Sequence, residues 1–178
     1  MNVLKSKLCK NIIDNKLSVP FLIRMTVIKE AITNNPDKII ITERSVYTDR
    51  EVFAKMLHDD KKIDDISYQI YFAMFNEFLD HSTDLDKMIF VNTDHNICNQ
   101  RVNKRNRDGE KISLEYLEKC GTYHKNWLLG LNDVLVLDGN IEFENDQNII
   151  NNWIKQILDF SYYTNKMDND KKKYCIIS

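Results

Sequence analysis

The sequence predicts an α/β domain, a parallel sheet wrapped by helices. Short β-branched apolar runs at residues 38–42, 87–93 and 133–139 alternate with longer segments of helical apolar period. No hairpin signal joins any two of those runs, so each must return through a helix. Only four glycines and two prolines occur in 178 residues, which suits helices joined by short connections.

Residues 1–19 form a polar, divergent N-terminal segment, too polar for a secretory apolar region. The domain proper is expected over residues 20–162. "PFLIRMTVIKEAIT" (20–33) reads as a helix with Pro20 in its first turn. "NNPD" breaks it, and "KIIIT" is too short and β-branched for anything but a buried strand. "TDREVFAKMLHDD" is a second helix with Thr48 or Asp49 near its N-cap. The long helix in "DDISYQIYFAMFNEFLDHS" carries apolar residues round much of its circumference. It should therefore be buried on two sides, against the sheet and against a neighbour or partner.

"KMIFVNT" is the next strand, and "DHNICNQRVNKRNR" a cation-rich helix. "SLEYLEKCGTYHKNWLLGLN" opens at Ser113 as N-cap, with Tyr116 leaving the capping box incomplete. "DVLVLDG" gives a third strand ending in Asp138-Gly139-Asn140, and "DQNIINNWIKQILDFSYY" the closing helix. Residues 163–178 read as a polar basic tail, and no internal repeat is present.

A net charge of −2 provides no general field for capturing nucleic acid, so any anion site must be local. Cys9, Cys98, Cys120 and Cys175 are scattered, without a C-x-x-C pair, as in a reduced intracellular protein. No apolar run approaches the roughly 20 residues of a membrane span. The expectation is a soluble, cytoplasmic chain. The ending Cys175-Ile176-Ile177-Ser178, with Lys171 to Lys173 upstream, fits a prenylation signal beside a basic patch, and also a chance product of Ile- and Lys-rich usage.

Two clusters carry chemistry. Glu43-Arg44-Ser45 ends the first strand, and open parallel sheets bind ligands beyond strand carboxyl ends. A Glu there can hold a metal or a proton, and an Arg offers a planar fork to phosphate. A surface pair capping the next helix is the alternative. Arg101, Arg105 and Arg107 follow the second strand at i, i+4 and i+6. Three guanidiniums converging there suit an anion such as a transferring phosphoryl group. A solvated basic face is the alternative.

"ITERSVYTDREVFAKML", "RVNKRNRDGEKISLEYLEKCGTYHKNWL" and "VLDGNIEF", in this order over roughly residues 21–143, resemble the deoxynucleoside kinase family. The similarity is to the branch of deoxycytidine and deoxyguanosine kinases and their viral and bacterial relatives. It implies a P-loop kinase-like fold and transfer of the γ-phosphate of ATP, or another triphosphate, with Mg²⁺ to a deoxynucleoside 5′-hydroxyl. By motif, Glu43 matches the residue that helps place metal and phosphates, and Arg44 the one near the 5′-hydroxyl and the transferred group. Asp49 matches the acid that reads the base edge with an Arg of the preceding helix, here Arg24. Phe53 matches the aromatic that stacks on the base. Arg101, Arg105 and Arg107 match the lid arginines around the phosphates. Glu110, with Asp108 as rival in a shorter lid, matches the acid on the sugar 3′-hydroxyl. Glu142 and Phe143 lie where the family packs the donor's adenine. The Arg24 and Asp49 pair implies deoxycytidine or a purine deoxynucleoside rather than thymidine.

The family's P-loop, G-x-x-x-x-G-K-[ST], has no counterpart here, because the first glycine is Gly109. The family's catalytic base falls in the same missing region, and Leu17 stands where a base-reading Gln is expected. The P-loop strand is central, so its loss should expose the flanks of "KIIIT" and "KMIFV". The chain is therefore expected to be truncated, half of a split enzyme, or a non-catalytic nucleoside-binding or interaction protein. The last would use the helix around Tyr68 to Phe78 as a homodimer face.

Overall fold

In the computed structural model, which describes residues 18–36, 38–79, 87–142, 146–162 and 174–177, the apolar runs become strands of one parallel sheet. Helix α1 (Ser18–Asn34) leads into β1 (Ile40–Glu43). A short α2 (Val46–Thr48), a π-helical stretch (Asp49–Ala54) and α3 (Lys55–Asp59) follow without a break in the helical backbone. Then come α4 (Asp65–Phe78), β2 (Lys87–Asn92), α5 (His95–Arg105), α6 (Leu114–Leu128), β3 (Val134–Asp138), α7 (Gln147–Tyr162) and β4 (Tyr174–Ile177). A parallel sheet flanked by helices is the architecture of the P-loop kinase-like α/β class, as expected.

The second helix starts earlier than its sequence suggested, with Ser45 as N-cap instead of Thr48 or Asp49. Ser45 Oγ accepts the Thr48 N–H at 3.1 Å, and the Ser45 N–H reaches Thr48 Oγ1 at 3.3 Å. Thr48 plays the reciprocal part usually taken by Glu, and both residues are fully buried. The Ser113 cap holds as expected, accepting the Tyr116 N–H at 3.2 Å.

Burial organises two layers. On one side Phe21 and Met25 of α1, Val46, Ala54, and Tyr71, Met74 and Phe75 of α4 form the main cluster. Phe21 meets Tyr71 edge-on and lies against Phe75, so α4 buries its aromatic face inside this chain and leaves Ile66 exposed. Each fully buried side chain of this size contributes about 1.5–3 kcal/mol. On the other side Ile89 and Leu137 pack against Trp153 and Ile157 of α7. The buried Lys87 sends its ammonium to the Phe160 carbonyl near the end of α7, a favourable place for a cation.

The strand order is β1-β4-β2-β3. The two apolar flanks expected to be bare are thus paired: β4 bonds β1 over Ile40–Glu43 and β2 over Lys87–Ile89. The last residues of the chain, read from sequence as part of a polar tail, include a four-residue central strand; residues 163–173 lie outside the described residues. Among the described residues no helix is long and apolar enough to cross a membrane.

Candidate functional site

At the carboxyl end of β1 the chain turns through Arg44, whose φ of +60° is a left-handed conformation that side chains other than glycine adopt at a cost. Thr42 Oγ1 donates to the Arg44 carbonyl at 3.3 Å and helps hold this turn. The Ser45 cap then sends the chain directly into helix. The result is an exposed Arg44 side chain standing above the sheet, with its guanidinium 5.3 Å from the centre of the Phe53 ring. Glu43, also exposed, ends the strand beside it.

Asp49 and Phe53 both lie on the π-helical stretch, one wide turn apart. Its i→i+5 bonding re-aims side chains relative to an α-helix, a deviation common at functional sites. Arg24, from the second turn of α1, reaches across to Asp49 with Nε 3.1 Å from Oδ2. Its Nη1 also donates to the Glu43 carbonyl at 3.3 Å, so one guanidinium ties α1 to the strand end and to the π stretch. Burial raises the Asp49 pKa above its ordinary value, and the attraction of Arg24 opposes that rise. A groove of about 470 Å³ runs along α1 and the strand end, lined by Ile23, Arg24, Val27, Ile28, Thr42, Glu43 and Arg44. That volume is within the range of small-molecule sites.

Sequence reasoning passed over His124 on α6. Its ring stacks on Phe90 of β2 (6.2 Å, 7°) and meets Phe53 edge-on (6.3 Å, 82°). Nδ1 lies 2.7 Å from the Cys120 carbonyl, which fixes the proton there in the neutral ring. Burial lowers the His124 pKa, and Arg44 pushes it down further. Phe90, His124, Phe53 and Arg44 thus form a continuous column from the sheet to the site. The signal was available: His124 lies in one of the quoted resemblance stretches, one turn beyond Cys120.

Two arginines of the cation-rich segment, Arg101 and Arg105, are already engaged. Arg105 Nη2 lies 2.5 Å from Glu110 Oε2. Arg101 donates to the Gly139 carbonyl at 2.7 Å and the Ile141 carbonyl at 3.0 Å. Arg107 and Asp108 are exposed in the turn after α5, beyond the left-handed Asn106 that ends the helix. Glu142 is exposed in the turn after β3, and Phe143 lies outside the described residues. Glu110 is therefore brought to an arginine, while Arg24, Asp49, Phe53 and Arg44 are brought to one another.

Among the described residues no three His, Cys, Asp or Glu side chains converge as a protein-made metal cage. Glu43 alone, an exposed carboxylate at a strand end, fits Mg²⁺ if phosphate oxygens and water supply the remaining ligands, as they commonly do.

A family model described as deoxynucleoside kinase matches residues 10–161. The chain is 33% identical over 141 residues to the "probable deoxycytidine kinase" of Fowlpox virus (strain NVSL), covering 74% of this chain and 59% of the relative. It is 30% identical over 135 residues to the deoxycytidine kinase of Rattus norvegicus, covering 67% and 52%. With the deoxyadenosine/deoxycytidine kinase of Bacillus subtilis (strain 168) the identity is 32% over 139 residues, covering 74% and 61%. The chain spans about half the length of the curated relatives it matches.

Proposed function

The chain belongs to the deoxynucleoside kinase family, and we propose that its described residues form the deoxynucleoside-binding half of a site for ATP-dependent 5′-phosphorylation. The observation that carries this reading is the Arg24–Asp49 pair at 3.1 Å, next to Phe53 and Arg44. An Arg-carboxylate pair presents donors and an acceptor side by side, which suits the edge of cytosine or a purine. A base that leaves those groups unpaired is rejected by the cost of the unmade hydrogen bonds. Phe53 supplies the stacking face. Glu110 is assigned to the sugar 3′-hydroxyl, which requires its exchange from Arg105.

In the transfer, the 5′-oxygen bonds to the γ-phosphorus of the triphosphate as the bond to the β,γ-bridging oxygen breaks. The hydroxyl proton passes to water, and the nucleoside diphosphate leaves. Charge on the transferring group is met by Arg44, with Arg105 and Arg107 as further cations. Mg²⁺, held through Glu43, would neutralise phosphate charge. Glu142 is assigned to the donor base. A nucleoside-binding chain without turnover is the second reading, carried by the same Arg24–Asp49 pair, which serves binding whether or not transfer follows.

The test is titration calorimetry with deoxycytidine, deoxyadenosine, deoxyguanosine and thymidine, paired with a phosphoryl-transfer assay. Asp49→Asn should weaken the preferred deoxynucleoside about 10- to 100-fold, the worth of a hydrogen bond to a charged group. Arg44→Ala should abolish transfer and leave binding. Binding without transfer selects the second reading. No binding of any deoxynucleoside, or binding indifferent to Asp49→Asn, overturns both.

A further inference from the structure

The turn after β3 is tied to the turn after β2 and to α5 at four points. The Gly139 N–H donates to the Asn92 carbonyl at 2.9 Å, and the Asp94 N–H donates to Asn140 Oδ1 at 2.7 Å. Asp94 is also the N-cap of α5, accepting the Asn96 N–H at 2.8 Å. Two turns along that helix, Arg101 places Nη1 and Nη2 on the Gly139 and Ile141 carbonyls. Gly139 is buried at the centre of this knot: a Cβ there would stand 2.0 Å from Thr93 Oγ1 and 2.9 Å from Val91 Cγ1. A guanidinium can grip two alternate carbonyls at once because its donors are fixed in a plane. An ammonium on a flexible stem cannot hold both in that geometry.

We propose that Arg101 is a positioning residue that clamps the 139–142 turn to α5, and not a ligand of phosphate. Its Nη1 and Nη2 are both committed to main-chain oxygens, so α5 and the turn move as one body. The clamp itself is independent of function. Its consequence for ligand binding rests on the reading above that Glu142 contacts the donor base. On that reading Arg101 sets base affinity without touching the triphosphate.

Two measurements on the full chain decide this, each with Arg101→Gln and Arg101→Lys. Amide hydrogen exchange reports the clamp. Both variants should speed exchange in a peptide covering residues 139–142 by about tenfold or more, since two charge-assisted bonds are lost. Exchange over residues 40–54 should stay within about twofold. Unchanged exchange at 139–142, or rescue by Lys, overturns the clamp. Binding of ATP and of inorganic tripolyphosphate, each with Mg²⁺, reports its consequence. ATP should weaken about tenfold in both variants while tripolyphosphate stays within about twofold. Equal losses for both ligands, or retention by Arg101→Lys alone, would make Arg101 a phosphate ligand. If wild type binds neither ligand, the donor-base reading fails and hydrogen exchange still judges the clamp.

Discussion

Removal of the Arg24 side chain tests the interaction on which the proposed base recognition depends. In Arg24→Met the apolar stem is kept, and Asp49 loses the donor 3.1 Å from its Oδ2. The two side chains are 28% and 13% exposed, so the pair is neither a surface contact nor a dry one. Exposed pairs contribute about 0.2–1 kcal/mol. Breaking a fully buried pair costs about 3–5 kcal/mol. The intermediate burial here places Arg24→Met at about 2 kcal/mol, a fall in Tm of about 4–8 °C for a chain of this size. The sign with pH follows from Asp49. Burial raises its folded pKa above the ordinary 3.8, so the folded state disfavours the carboxylate. That penalty is present at neutral pH and is relieved as pH falls through the raised value. Arg24→Met should therefore be most destabilising at neutral pH and less so as the pH is lowered through the raised Asp49 pKa. In an Asp49→Asn background it should cost under about 1 kcal/mol at any pH. Urea unfolding of the four members of the cycle measures the coupling. A coupling below about 0.5 kcal/mol at neutral pH would refute the assignment of this pair as a strong interaction.

Three further outcomes are expected. Gly139→Ala should cost about 1–3 kcal/mol by overpacking, with part recovered in Gly139→Ala/Thr93→Ala, because Thr93 Oγ1 is the nearest obstacle to the new methyl; urea midpoints check both. Arg44→Gly should be more stable than Arg44→Ala by about 1 kcal/mol, since only glycine relaxes at a φ of +60°; equal thermal midpoints would refute strain at this turn. His124 has a depressed folded pKa, so it contributes stability above 6.5 that is lost as pH falls through the folded value. His124→Phe keeps a ring against Phe90 and should flatten the stability profile below about pH 6.5, read by thermal melts.

Much of the scaffold was legible because its determinants are local. The runs "KIIIT", "KMIFV" and "DVLVL" combine β-branching with lengths too short for a helix, and each is a strand. Ser113 caps α6 because its hydroxyl needs only an amide three residues away. The meeting of Arg24 with Asp49 required only that α1 lie antiparallel over the strand it precedes. What escaped depends on partners far along the chain or on backbone states without a residue signature. The π stretch at Asp49–Ala54 has the composition of an ordinary helix. The Ser45 cap was hidden by the use of Thr48 where Glu is usual. "YCII" is too short to be distinguished from a tail, and its strand state is imposed by β1 and β2 on either side. The hold of Arg101 on carbonyls 38 and 40 residues away follows from tertiary placement alone.

The placement of β4 decides how the two sides of the candidate site relate. β1 delivers Glu43 and Arg44, and β2 leads into α5 with its arginines, yet β1 and β2 do not pair directly. With β4 between them their axes stand about 9.5 Å apart, two strand spacings. A second joint lies above the sheet, in α6. There His124 bridges Phe90 of β2 to Phe53, the Tyr123 hydroxyl donates to Asp59 at 2.5 Å, and Lys119 pairs with Asp60. The strand joint sets the distance between the two sides, and the helical joint sets their orientation. Neither joint includes the Arg24–Asp49 pair, which is a third tie, from α1 to the strand end and the π stretch. The frame is thus divided among three ties, and the exposed Arg44 leans on Phe53 of the second. The left-handed Arg44 is consistent with that division: strain at one residue persists when the capped helix after it and the paired strand before it over-determine the turn.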